Sequence, residues 1–281
     1  MLCYDCPRKC GVDRSKQKGF CQEGDKIRVA KIIENFMWEE PCISGDKGCL
    51  AIFFSGCNLR CSFCQNYEIS HGSKGDFYSP EEFCDLLKSY DLTRFSSIDL
   101  ITPSHFSSAL IEALAKENWD LPIVWNSSGY ESEATIERLA KVVDVFLPDF
   151  KYYSQDLSLS LSGAQDYFEV AKKAIIKMRE IRPNNIFSSN GVLKEGMLIR
   201  HLVLPGHAKD SFKVLETIKG EVSSPFISLM SQFTPHGQNE LYRKLIPLEY
   251  KSVLAHAEKL GLNDGYFQEF ASADENFIPN F

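Results

Sequence analysis

The sequence predicts an α/β protein built on a parallel sheet, open or barrel-like, with a small cysteine-rich module in front of it. Three observations carry this reading. Short, almost continuously apolar runs recur at residues 50–54, 97–101, 122–125, 142–147, 199–204 and 226–230, the pattern of strands buried on both faces. Helical patterns lie between them, so six strand-then-helix units follow one another, as a parallel sheet with crossover helices requires. Nine of the ten cysteines stand before residue 65, ahead of most of these units.

Taken in order, residues 1–48 mix cysteine, glycine and charge without periodicity and read as an irregular, loop-rich module organised by metal. Residues 49–281 form the second expected unit, of a size suited to one (β/α) domain. Its first helix opens on Ser79-Pro80-Glu81-Glu82, a capping box with proline at the first helical position. Helical patterns follow at 106–117, 133–141, 166–181, 211–218 and 247–260, the last ending at Gly261. Ser188-Ser189-Asn190-Gly191 predicts a tight hairpin turn before the fifth core strand. Neither an internal repeat nor a low-complexity stretch is present.

Charge narrows the function. The formal net charge is −7 and the pI about 5.5, so there is no basic footprint for nucleic acid. No apolar run reaches the roughly 18 residues of a membrane span. The first residues, MLCYDCPRKC, lack the apolar core of a secretory leader, so a cytoplasmic setting is expected and disulfides are not. Clustered cysteines in that setting favour metal.

In parallel α/β folds the active site gathers at the carboxyl ends of the strands. Chemically capable residues stand at those places here. Cys57, Cys61 and Cys64 follow the first run, and Thr102-Pro103-Ser104-His105 the second. Asn126-Ser127-Ser128-Gly129 follow the third, and Pro148-Asp149-Phe150-Lys151 the fourth. Arg200 and His201 lie within the fifth, and Ser231-Gln232-Phe233 follow the sixth.

The most specific stretch is GCNLRCSFCQN, residues 56–66, with its C-x3-C-x2-C spacing. Soft thiolates select zinc, copper or iron–sulfur clusters. A closed structural zinc takes four ligands. Three thiolates suit a four-iron cluster with one iron left open to a substrate atom, and glycine and asparagine beside Cys57 let the loop wrap closely.

That spacing after the first strand of a β/α barrel resembles the radical SAM superfamily. The longer run FFSGCNLRCSFCQN, with Glu39-Glu40-Pro41, NSSGYE, LPDFKYY, IRHLVLPG and SLMSQFTP, is similar to a branch related to pyruvate formate-lyase activating enzyme. The resemblance implies a partial (β/α)6-type barrel and an oxidoreductase. It implies a [4Fe-4S] cluster on Cys57, Cys61 and Cys64, and S-adenosylmethionine bound at the open iron. A reducing partner such as flavodoxin or ferredoxin would supply the electron, and a 5′-deoxyadenosyl radical would take hydrogen from a substrate. By position, Phe63 would lie against adenine. Thr102 and Ser104 would replace the Gly-Gly-Glu string of relatives, from which this chain departs. Asn126, Ser127 and Asp149 would serve the methionine carboxylate and a cation. Arg200 and Gln232 would contact the cofactor. Lys151 would face the substrate, and His105 would bind substrate or cap the following helix. His201 would point away from Arg200, because side chains alternate along a strand. The substrate could be a protein glycine, as in glycyl-radical activation, another protein or peptide, or a small metabolite.

A second set, Cys3, Cys6, Cys10 and Cys21, is a complete quartet. Segment 1–48 is too small and polar to hold itself by burial, so a metal staple is expected, either zinc or a second iron–sulfur cluster that could relay electrons. Cys42 and Cys49 fit neither set and are expected as buried free thiols, with Cys84 in the core. The competing class is a non-catalytic iron–sulfur or zinc protein that carries electrons or scaffolds an assembly. Such a protein has no use for polar residues at the end of every strand. A zinc deaminase or methyltransferase is disfavoured by the lack of a catalytic Glu in a His-x-Glu setting.

Overall fold

The computed structural model describes residues 2–235, 241–270 and 281. Eleven strands and nine α-helices are present among them. The first half contains β1 (Ile27–Phe36), α1 (Pro41–Ser44), β2 (Cys49–Phe54), α2 (Tyr67–Ser70), β3 (Asp76–Tyr78), α3 (Pro80–Lys88), β4 (Ile98–Ile101), α4 (Ser107–Leu114), β5 (Ile123–Ser127), α5 (Glu133–Leu139) and β6 (Val145–Pro148). Then come α6 (Gln155–Ser162), α7 (Tyr167–Ile181), β7 (Ile186–Phe187), β8 (Leu193–Met197), β9 (Ile199–Leu202), α8 (Ala208–Glu221), β10 (Ile227–Met230), α9 (Pro247–Lys259) and β11 (Gly265–Phe267).

Strands β2, β4, β5, β6 and β8 run parallel at the centre of an eight-stranded sheet of order β3-β1-β2-β4-β5-β6-β8-β7. A second, three-stranded parallel sheet has the order β11-β10-β9. The chain steps from one sheet to the other between β8 and β9, and an isolated bridge from Asp149 to Arg200 ties the end of β6 to β9. The described strands form no closed barrel. Every residue of β2, β4, β5, β6 and β10 is buried, which explains their continuously apolar sequences.

Residues 1–48 are not irregular throughout. Strand β1 is a ten-residue strand inside that segment, paired antiparallel with β2 and with β3. It joins the first segment to the main sheet across the expected boundary at 48/49. The Ser79 capping box forms, with Glu82 N–H donating to Ser79 Oγ and Ser79 N–H donating to the Glu82 carboxylate. The hairpin turn at residues 188–191 closes β7 against β8, with Gly191 at φ +82°. Cys42, Cys49 and Cys84 are buried, and all ten cysteines are free thiols.

One buried tyrosine fixes the loops after β5 and β6. The Tyr167 hydroxyl accepts from Lys151 N–H at 2.9 Å and lies 2.8 Å from both the Ser128 and the Asp149 carbonyl oxygens. Its ring is fully buried, edge-on to Tyr152. Tyr167→Phe strands these backbone groups without their partner. Urea unfolding should show a loss of about 1–3 kcal/mol with an unchanged m-value. A loss below about 0.5 kcal/mol would mean the loops are held by other contacts.

Candidate active site

The carboxyl ends of the parallel strands open on one cavity of about 470 Å³. Cys57, Cys61, Cys64 and Phe63 line it from the loop after β2, Thr102 from the end of β4, and Asn126 and Ser127 from β5. Asp149 and Lys151 line it from beyond β6, Arg200 from β9 and Gln232 from beyond β10. Glu39 and Glu40, from the turn between β1 and α1, complete the wall.

The cysteine loop folds tightly because two residues take left-handed backbone, Gly56 at φ +79° and Arg60 at φ +56°. A side chain at 56 would meet the Cys21 carbonyl oxygen, only 2.5 Å from where its Cβ would stand, so glycine is required on both counts. The sulfurs are met by donors. Leu59 N–H donates to Cys57 Sγ at 3.3 Å, and Ser162 Oγ–H donates to Cys61 Sγ at 3.0 Å. Burial, reinforced by the neighbouring sulfurs Cys61 and Cys64, pushes the Cys57 thiol up to about 12. The Cys64 thiol is raised by burial and then by Cys61. Cys57 and Cys64 therefore favour their protonated forms until positive charge arrives beside them, as soft metal ions bring it. As the side chains stand, no three His, Cys, Asp or Glu among the described residues form a ready site for a single ion.

Opposite the sulfurs, Arg200 organises the polar wall. Its Nε donates to Asp149 Oδ1 at 3.1 Å, Nη1 to Glu39 Oε2 at 2.9 Å, and Nη2 to Asn126 Oδ1. Glu40 Oε2 lies 3.9 Å from the same Nη1. Asn126 Nδ2 donates in turn to Asp99 Oδ2 at 3.1 Å and Glu39 Oε1 at 3.3 Å. Lys151 Nζ donates to Asp149 Oδ2. Burial works against the charge on Asp149, but Lys151 and Arg200 outweigh it and hold its carboxyl below the usual range. Burial pushes Glu39 up to about 7, with Glu40 and Asp149 adding to the rise and Arg200 opposing it. Asp99 is driven well above its ordinary value by burial and then by Glu39.

Of the sequence-predicted residues, Phe63, Thr102, Asn126, Ser127, Asp149, Lys151, Arg200 and Gln232 reach the cavity. Thr102 does so at φ +63°, a strained position for a β-branched residue and one that glycine would occupy freely. Ser104 and His105 do not line the cavity. Ser104 Oγ donates to buried Glu131, and His105 Nε2 is 2.6 Å from the Ser55 carbonyl with its ring against Phe106. Their positions one and two residues past Pro103, at the start of a 3-10 turn, aim them into the packing under α4. His201 faces away from the cavity, as strand alternation requires, with Nδ1 2.7 Å from the Phe150 carbonyl. Sequence reasoning missed Glu39, Glu40 and Asp99 as site residues. The first two carried a signal, paired carboxylates ahead of a helix-opening proline. Asp99 carried a weaker one, a single acid in an otherwise apolar run.

The raised Glu39 carboxyl gives a pH signature. Its folded value of about 7 lies above the ordinary glutamate value of 4.5, so the folded state holds the proton more tightly. Wild-type stability should therefore fall as pH rises from about 4.5 to about 7 and level off beyond. In Glu39→Gln that part of the decline should vanish, measured by denaturant unfolding across pH 5 to 8. An identical slope in the two proteins would show that Glu39 ionises normally.

The radical SAM superfamily matches residues 51–213, which span β2 to the first turns of α8. An uncharacterized protein of Methanocaldococcus jannaschii is 27% identical over 278 residues, covering 93% of this chain and 75% of that protein. A domain of a pyruvate-formate lyase-activating enzyme from Bacteroides vulgatus superposes with a TM-score of 0.41 and 12% identity, covering 59% of this chain and 91% of that domain. With the three thiols, Asn126, Asp149, Lys151 and Arg200 inside the matched region and on one cavity, the chain belongs to the radical SAM superfamily.

Proposed function

We propose that this protein is a radical SAM oxidoreductase that uses the Cys57, Cys61, Cys64 loop and the Arg200 wall as the two ends of one cofactor site. The observation that carries the reading is that three thiols, two of them accepting hydrogen bonds, and a buried cation network face each other across a single cavity. The residues fit the implied groups. Soft sulfur donors that already accept hydrogen bonds suit a [4Fe-4S] cluster. A buried guanidinium with paired carboxylates suits the zwitterionic end of S-adenosylmethionine. When bound, these groups supply a 5′-deoxyadenosyl radical that abstracts hydrogen from a substrate.

The chain's own residues do the remaining work. Cys57, Cys61 and Cys64 would hold the cluster. Phe63, Tyr152 and Phe233 are packed ring to ring, 6.4 and 6.0 Å from Phe63, and keep water from that end of the cavity. Arg200 engages Asn126 Oδ1 and Asp149 Oδ1, the oxygens a bound monovalent cation would need, and so provides the positive charge itself. The charge on Lys151 survives burial because the Asp149 carboxylate beside it outweighs the cost of desolvation. It stands ready to orient an anionic or carbonyl group of the substrate. Met37 and Trp38 are about half exposed at the cavity mouth, where a protein or peptide substrate would be met. Glycine α-hydrogen abstraction on a partner protein is the substrate chemistry the resemblance offers, with a flavodoxin or ferredoxin as reductant.

An anaerobic assay tests this. Reconstituted and reduced wild type should convert S-adenosylmethionine to 5′-deoxyadenosine, and Cys61→Ala should form none. Product from Cys61→Ala would sink the assignment. Lys151→Ala should keep uncoupled cofactor cleavage while losing about 10²-fold or more in substrate turnover once the substrate is known. Equal loss of both would place Lys151 at the cofactor.

A further inference from the structure

The family match begins at residue 51 and leaves the N-terminal quartet outside it. We propose that Cys3, Cys6, Cys10 and Cys21 form a second soft-metal site, and that its occupancy fixes the loop carrying Cys57 and Cys61. The coupling rests on the cofactor reading of that loop.

The segment is built inside out for anything but metal. Residues 2–26 contain no helix and a lone bridge, Leu2 to Asp13. Their buried residues are Cys6, Arg14, Gly19, Cys21 and Glu23, while Leu2, Tyr4 and Phe20 are exposed. No aliphatic or aromatic side chain is available inside to hold the fold, so another bond must do so. The turns that collect the sulfurs are strained. Lys9 at φ +44° closes on the Cys6 carbonyl, and Gln22 at φ +66° closes on that of Gly19. Such conformations persist only where the surroundings over-determine them. Gly19 lies under two sulfurs, its Cβ position 3.5 Å from Cys10 Sγ and 3.7 Å from Cys21 Sγ, and Phe20 N–H donates to Cys10 Sγ at 3.3 Å. Backbone N–H groups of Arg8 and Glu23 likewise meet Cys6 and Cys21, and with Cys3 beside Cys6 the four thiols, not closed round an ion as they stand, are a soft donor set for zinc or an iron–sulfur cluster.

The same segment grips the triad loop at two points. Arg8, between Cys6 and Cys10, donates from Nε to the Asn58 carbonyl at 2.8 Å. Its Nη1 donates to the Gly163 carbonyl at 2.6 Å and its Nη2 to that of Ser162 at 3.1 Å. Ser162 is the residue whose hydroxyl donates to Cys61 Sγ. Beside Cys57, Gly56 packs against the backbone of Cys21 itself. A metal that sets the positions of Cys6, Cys10 and Cys21 thereby sets Arg8 and the floor under Gly56.

The test counts metal and then follows its loss, without any need for turnover. Anaerobically reconstituted wild type, Cys6→Ser and Arg8→Ala are assayed for iron, sulfide and zinc, then challenged with an iron chelator. Wild type should hold about four iron plus about one zinc, or about eight iron, and the two results name the metal. Cys6→Ser should lose that second centre and release its remaining iron at least about tenfold faster. Arg8→Ala should keep the second centre and still release triad iron faster, which separates a lost grip from a misfolded segment. Wild type with about four iron and no zinc would overturn the site. Cys6→Ser with an unchanged rate of iron release would overturn the coupling. A filled quartet beside a triad that takes no iron would overturn the coupling together with the cofactor reading, and the metal count would show which had failed.

Discussion

The cavity depends on one buried cation. Arg200 sits on β9, a strand of the smaller sheet, and its guanidinium binds side chains from β5, from beyond β6 and from the turn after β1. Without it Glu39, Glu40, Asp99 and Asp149 would face each other with Lys151 as the cation, in surroundings where unpaired charge costs several kcal/mol. The arginine does more than cancel charge. Its planar fork prescribes where each partner stands, so three donor nitrogens fix the relative positions of loops that the two sheets alone would leave loose. Burial and the neighbouring carboxylates raise both Glu39 and Asp99, since four carboxyl groups around two cations cannot all be ionised cheaply.

The same requirement explains the backbone. Chemistry gathers where parallel strands end, but strand ends point outward unless the chain turns back sharply. Thr102 and Gly56 do this with left-handed conformations, and Gly129, at φ +72°, allows the loop after β5 to approach the Asp149 carbonyl where a Cβ would stand 2.4 Å from it. Tyr167 then ties that loop to the next with its hydroxyl. The polar wall is therefore rigid from behind as well as from within, which a site that must hold a reactive species away from water needs.

How much of this was legible in the sequence follows from burial. β2, β4, β5, β6 and β10 announced themselves because both of their faces are packed, and their residues had to be apolar throughout. β1 did not, because IRVAKIIENF is only half-buried and its pairing with β2 is broken by register shifts, so neither alternation nor an apolar run survives. The residues after the strands were readable as a class, yet Ser104 and His105 show the limit. Position along the chain told which loop they belong to, and only the 3-10 turn after Pro103 decided that they face the core. Glu39 and Glu40 show the converse: the pair stood out before Pro41, but its place at the site was not legible, because it precedes the first core strand in sequence and joins the site through tertiary pairing alone.

That last contact bears on what distinguishes this chain from the bare superfamily domain. The matched region starts at β2, yet Glu39, Glu40, Trp38 and Met37 at the cavity come from before it, and so do Arg8 and Cys21 against the cysteine loop. Strand β1 is the connection between these two contributions, hydrogen-bonded along β2, whose end launches the triad. The first fifty residues thus touch the site from both sides, at the sulfur end through the quartet segment and at the polar wall through the paired glutamates. The cavity is thus a joint product of the matched domain and of the segment that precedes it, and neither part encloses it alone.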